Sequence, residues 1–120
     1  QELMNVVKKR EKFRPFAPVI LEEKASEFFD ISTTSPYMQY VAKCKYPMQY
    51  PGICHVDNTS RLQTINSTQN LKFYRLLKMF YEKTGCPMLI NTSLNIKGQP
   101  LVNTWHDAID FSKKYNVKVF

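Results

Sequence analysis

Residues Cys86–Pro100 read CPMLINTSLNIKGQP, and the reading of this stretch decides the rest of the chain. Pro87-Met88-Leu89-Ile90 is a short apolar run closed by polar and turn-forming residues. It predicts a buried strand, although a run this short also fits a piece of helix. Asn91-Thr92-Ser93-Leu94-Asn95 then falls at the strand's end, where an open α/β sheet has its ligand crevice. The amides of Asn91 and Asn95 and the hydroxyls of Thr92 and Ser93 offer donors and acceptors without fixed charge. Gly98 lets the chain turn tightly, and Pro100 ends the loop. A plain polar β-turn is the competing account of the same residues.

Working outward, Asn70–Lys83 has the clearest helical spacing. Phe73, Leu76, Leu77 and Phe80 fall at i, i+3, i+4 and i+7, a core-facing stripe. Gly85 suits its C-terminal cap, and Pro87 prevents continuation. Downstream, Thr104 with Asp107 three residues on resembles a capping box, opening a helix to about Tyr115. Val117–Phe120 suggests a last strand. Upstream, Gln1–Lys12 has helical spacing, with Leu3, Val6, Val7 and Arg10 on one face. The prolines of Phe13-Arg14-Pro15-Phe16-Ala17-Pro18 hold the next stretch extended. Val19–Leu21 reads as a strand and Glu22–Phe29 as a short helix with acids in its first turn. Tyr40–Cys44, Ile53–Val56 and the segment around Leu62, Thr64 and Ile65 read as further strands. Strands and helices together predict an α/β (α+β) fold, a twisted mixed sheet with the helices of Asn70–Lys83 and Thr104–Tyr115 packed on it.

At 120 residues and 43% hydrophobic, the chain fits a single folded domain, 1–120. No apolar run approaches the roughly 20 residues of a membrane span. Three cysteines without a CxxC pair suit a reduced, cytoplasmic setting. The net charge of +7 suits nucleic acid, an anionic surface or phosphorylated small molecules. Aromatics on predicted core faces, rather than interleaved with basic residues, argue against nucleic acid.

No Walker A, GxGxxG, HExxH or Cys/His metal spacing is present. The candidates for chemistry are Lys8, Arg10, Arg14, Arg61, Ser93 and Asn95, with His55 and Asp57 behind them. Arginine offers a planar fork for phosphate or carboxylate, lysine a compact point charge. Arg14 equally suits an ion pair with Glu22 or Glu23. Asp57 equally suits an Asx-turn with Thr59 or Ser60.

Several stretches resemble one family in order. Lys8-Lys9-Arg10-Glu11-Lys12-Phe13-Arg14-Pro15-Phe16-Ala17-Pro18 resembles the KxRExFRPFAP signature of the nodulation and antibiotic O-carbamoyltransferases. His55-Val56-Asp57-Asn58-Thr59-Ser60-Arg61-Leu62-Gln63 is similar to their HVDGTxRxQ. Thr84-Gly85-Cys86-Pro87 is similar to TGxP, and Asn91–Asn95 with Gly98-Gln99-Pro100 to NTSFN…GxP. Asp107-Ala108 matches the DA of the next helix. Asn58 stands where the family has Gly, and Leu94 where it has Phe. A GPRALGxRS-like stretch and a large N-terminal domain, which the family carries upstream, are not among these 120 residues.

The resemblance implies the C-terminal, YrdC-like domain of such an enzyme. Its substrates would be carbamoyl phosphate and ATP, which Mg²⁺ can accompany, and its product carbamoyl adenylate. An N-terminal acceptor domain, in cis or on another chain, would hold the metal of the transfer site and carbamoylate a hydroxyl. The KxR…SxN constellation of YrdC-like domains falls on Lys8, Arg10, Ser93 and Asn95. The implied roles give Lys8, Arg10 and Arg61 to phosphate oxygens, and Ser93, Asn95 and Asn91 to phosphate or the carbamoyl amide. Arg14, His55 and Asp57 are supporting candidates, and no metal ligands are expected in this domain. A threonylcarbamoyl-adenylate synthase-like domain and an RNA-binding YrdC-like module are the alternatives.

Overall fold

A computed structural model describes residues 2–9 and 14–119, with side chains from residue 5 onward. By internal contacts the chain divides into two compact units, Pro15–Thr92 and the combination of Gln1–Arg14 with Ser93–Phe120.

The first unit is a four-stranded mixed sheet with a helix packed on it, so the expected α+β architecture holds. The strands are β1 (Ala17–Leu21), β2 (Tyr40–Lys43), β3 (Thr59–Ile65) and β4 (Met88–Asn91), in the spatial order β2-β3-β1-β4. β1 runs parallel to β3, with Val19 opposite Gln63. It runs antiparallel to β4, with Ala17 opposite Asn91 and Val19 opposite Leu89. β2 and β3 are antiparallel, with Val41 opposite Arg61.

Side chains alternate between faces along a strand, and both faces of the sheet are used. On one face Ile20, Leu62, Ala42 and Met88 pack with Ala25, Phe29, Cys44 and Ile53. On the other, Val19, Leu21 and Ile65 meet Leu77 of α3 (Leu71–Thr84), flanked by Phe73, Tyr74, Phe80, Tyr81 and Leu89. The helical stripe is therefore centred on Leu77, which is fully buried, and Leu76 stands 57% exposed. One residue on a helix is about 100° of rotation, enough to carry Leu76 off the buried face. Asn70 caps α3 by accepting from Phe73 N–H at 3.0 Å. Gly85 closes it in the left-handed conformation, φ +72°.

Two further expectations in this unit are revised. Glu22–Phe29 is split into a 3₁₀ turn, Glu22–Lys24, and a one-turn helix α2, Ala25–Phe28. Ile53–Val56 is not a strand. Pro51–Ile53 forms a 3₁₀ turn, and the chain then reverses tightly, with His55 N–H donating to Thr59 O and Asn58 N–H to His55 O. Asn58 holds φ +62°, a left-handed position that asparagine tolerates where the family motif has glycine.

In the second unit, α1 (Glu2–Lys8) and α4 (Trp105–Tyr115) flank the loop 93–104. Val6, expected on the apolar face of α1, is 76% exposed, whereas Asn5 and Lys8 are buried. The expected continuation of this helix to Lys12, and the facing position of Arg10, lie outside the described residues. The capping box of α4 forms as read: Thr104 accepts from Asp107 N–H, and the Asp107 carboxylate accepts from Thr104 N–H at 2.9 Å. Ala108 and Phe111 are its buried residues. Residues 117–119 form no strand. Asn116 ends the helix at φ 52°, and Val117 N–H donates to Ser112 O, so that amide is committed to the helix end.

Among the described residues, no helix is long and apolar enough to cross a membrane.

Candidate functional site

α1 ends on Lys8, whose buried side chain reaches the loop that follows residue 92. Its ammonium donates to the Ser93 carbonyl, to Ser93 Oγ at 3.4 Å and to Asn95 Oδ1 at 3.0 Å. Ser93 Oγ also donates to Asn95 Oδ1, at 2.7 Å. Asn95 Nδ2 donates in turn to Gln99 O at 3.1 Å, which fixes the orientation of the amide. Backbone bonds hold the loop: Lys97 N–H to Lys8 O at 3.1 Å, and Val102 N–H to Leu94 O at 2.9 Å. Gly98, at φ +80°, makes the turn between them, a conformation that costs glycine nothing sterically.

The expected meeting of Lys8 with Ser93 and Asn95 is thus present within this unit. Ser93 and Asn95 meet the ammonium with neutral oxygen acceptors, which orient it. A lysine so placed presents a positive point charge beside hydroxyl and amide groups, a combination that suits phosphate oxygens.

In the sheet unit, Arg61 is exposed and lies on the α3 face of β3. Arg61 stands two residues before Gln63 on β3, so the two side chains share this face, and Ala17, on the face of Val19, is paired with Asn91. Arg61, Gln63 and Asn91 therefore lie on one face of the sheet, and Gln63 is the one bonded to Asn91. α3 covers the neighbouring apolar rows, Val19–Leu89 and Leu21–Ile65. Asn91 Nδ2 donates to Gln63 Oε1 at 2.5 Å, and Gln63 Nε2 to Pro36 O at 2.8 Å.

The remaining candidates are placed differently. Arg14 is exposed. Arg10 lies outside the described residues. His55 and Asp57 are in the turn before β3, with Asp57 exposed. Asp57 accepts from Thr59 N–H at 3.0 Å and from Thr59 Oγ1 at 2.7 Å, the Asx-turn allowed by the sequence. The Thr59 hydroxyl and amide hold its carboxyl below the ordinary aspartate value.

The opposite face of the sheet unit carries a cleft of about 260 Å³, bordered by Glu22, Thr33, Thr34 and Thr64. Its one charged wall is acidic, the wrong sign for a phosphate. Cys44, Cys54 and Cys86 are free thiols gathered around one apolar cluster. Burial, helped by a hydrogen bond with Cys44, pushes the Cys54 thiol up to about 12. Among the described residues, no group of three or more His, Cys, Asp or Glu could hold a metal ion.

Two polar residues at these clusters were not singled out from the sequence. Asn5 lies one helical turn before Lys8, is 8% exposed, and its Oδ1 has no hydrogen-bond partner among the described residues. The i, i+3 spacing to Lys8 was the available signal. Gln63 was visible as the alternating neighbour of Arg61, but its bond to Asn91 crosses β1 and leaves no trace in sequence spacing.

Over residues 1–120 the sequence matches the family described as carbamoyltransferase C-terminus. The chain belongs to that family. Among its relatives, nodulation protein NolO of Bradyrhizobium diazoefficiens is 41% identical over 87% of this chain and 20% of its own length. Nodulation protein NolNO of Sinorhizobium fredii is 38% identical over 87% of this chain and 16% of its own. The 3′-hydroxymethylcephem-O-carbamoyltransferase of Streptomyces clavuligerus is 33% identical over 92% of this chain and 21% of its own. The chain thus spans about a fifth of the length of these curated relatives.

Proposed function

We propose that this chain is the adenylate-forming C-terminal portion of an O-carbamoyltransferase, working in a reduced, cytoplasmic setting. It takes carbamoyl phosphate and ATP. Water hydrolyses carbamoyl phosphate to carbamate and phosphate. A carbamate oxygen then attacks the α-phosphate of ATP, pyrophosphate leaves, and carbamoyl adenylate forms. An N-terminal domain, in cis or in trans, would transfer the carbamoyl group to an acceptor hydroxyl, releasing AMP, with a metal of its own to assist.

The observation that carries this reading is the Lys8 ammonium held by Ser93 and Asn95. Two polyanions must be brought together, so fixed cations must offset their repulsion, and prepositioned charge supplies most of such catalysis. Lys8 takes phosphate oxygens, with Ser93 and Asn95 beside it. Arg61 takes a second anionic group, with Asn91 on the same sheet face. Arg10 joins the cations by its place in the KxR pattern. Mg²⁺ enters with ATP, bound through the phosphates.

The test is ATP–pyrophosphate exchange that depends on carbamoyl phosphate, measured on the chain joined to a family N-terminal domain and on the chain alone. Exchange that needs carbamoyl phosphate is expected from the joined protein, with no carbamoylated acceptor from the chain alone. Exchange indifferent to carbamoyl phosphate would overturn the assignment.

A further inference from the structure

Asn91 and Gln63 stand on either side of β1, and their amides form a chain of fixed polarity. Gln63 Nε2 donates to Pro36 O at 2.8 Å. A backbone carbonyl only accepts, so it decides which end of the Gln63 amide turns toward it. Oε1 therefore faces Asn91, where it accepts from Nδ2 at 2.5 Å. The Asn91 amide is oriented in turn, and Oδ1 is its atom not engaged by Gln63.

The anchor of this chain is firm. Ser35, fully buried, donates from Oγ to Leu62 O at 2.8 Å and from its N–H to Thr64 Oγ1 at 2.8 Å. Thr64 N–H returns a bond to Ser35 O at 2.9 Å. Pro36 is thereby tied to β3 on both sides of Gln63. The sheet face beyond α3 then offers an arginine and an oriented carbonyl oxygen, with Gln63, two residues from Arg61 on β3 and bonded to Asn91, as their common neighbour.

We propose that Gln63 is a positioning residue that presents Asn91 as a hydrogen-bond acceptor, so that this face selects a ligand with an N–H donor next to an anionic group. The inference rests on the adenylate-forming function above, in which carbamoyl phosphate carries both groups. Acetyl phosphate replaces its amino group with methyl and keeps the phosphate. A site built to accept an N–H rejects the analogue that lacks it, because the acceptor covered by the ligand is left unpaired.

Calorimetric titration of the chain with each phosphate tests the assignment. The wild type is expected to favour carbamoyl over acetyl phosphate by about tenfold or more. Gln63→Leu should bring that ratio to within about twofold while acetyl phosphate binding is kept, and Asn91→Ala should do the same. Retained acetyl phosphate binding in Gln63→Leu guards against a loss that merely reflects misfolding. A wild type that binds both phosphates equally, or a Gln63→Leu protein with the wild-type ratio, overturns the role of Gln63 alone. A wild type that binds neither phosphate overturns the proposed function, and this inference with it.

Discussion

Lys8 Nζ lies 3.0 Å from Asn95 Oδ1, although 87 positions separate the two residues in the sequence. The bond joins the end of the first helix to the loop at the far end of the chain, and it makes a specific claim about ligand binding. Charge-assisted hydrogen bonds contribute roughly 1.5–3 kcal/mol, which is about tenfold to a hundredfold in affinity. Lys8→Met is expected to weaken inorganic phosphate binding by at least about tenfold, measured by calorimetry at low salt. Lys8→Arg should not restore it, since a planar fork does not fit where a point charge meets three oxygens. Unchanged affinity in Lys8→Met would remove this cluster from the site.

Leu77 and Leu76 are neighbours with opposite surroundings, one fully buried and one 57% exposed. Leu77→Ala opens a cavity between α3 and the sheet and should cost about 2–5 kcal/mol. Leu76→Ala should change stability by about 0.5 kcal/mol or less. Urea denaturation of the two variants reads the difference directly, and equal losses would contradict the orientation of α3.

Asp57 carries a pH signature. Its folded carboxyl titrates below the ordinary 3.8 because Thr59 donates to it from hydroxyl and amide. A depressed folded value means that the stabilisation is present above the unfolded value and is lost as pH falls through the folded one. Asp57→Asn keeps an oxygen acceptor and does not titrate. The gap in urea midpoint between wild type and variant should stay constant from about pH 7 to pH 5, then close as the medium becomes more acidic than the carboxyl's ordinary value. A gap that widens in acid would reverse the sign.

Cys54 is predicted to be chemically quiet. With its thiol pushed up to about 12, almost none is thiolate at about pH 8, and thiolate is the reactive form. Labelling with an aromatic disulfide reagent should show the same fast amplitude in Cys54→Ser as in wild type. Adding urea should bring Cys54 into the reactive pool. A fast phase that disappears in Cys54→Ser would show an accessible thiolate.

Local chemistry determined much of this protein. The helix Leu71–Thr84, its Asn70 and Gly85 caps, the Thr104–Asp107 capping box and the Asp57 turn all depend on residues close to one another in the chain. The short apolar runs at Val19–Leu21 and Met88–Ile90 likewise became strands of one sheet. The order of motifs along the chain carried the family resemblance, which the family match bears out.

Tertiary structure decided what sequence periodicity could not. Ile53–Val56 looked extended by composition, yet the Pro51–Ile53 turn and the bonds at His55 and Asn58 close it into a reversal. The spacing of Val6 sets it on one face with Leu3 and Val7, yet it is 76% exposed, whereas Asn5 and Lys8 are buried. An apolar side chain records only a preference for burial; the ammonium of Lys8 goes inward because Ser93 and Asn95 supply oxygens there. The pairing of Gln63 with Asn91 depends on β1 lying between their strands, in a register set by the whole sheet. Hydrogen-bond polarity across three strands is a property of that arrangement, and no spacing within one segment encodes it.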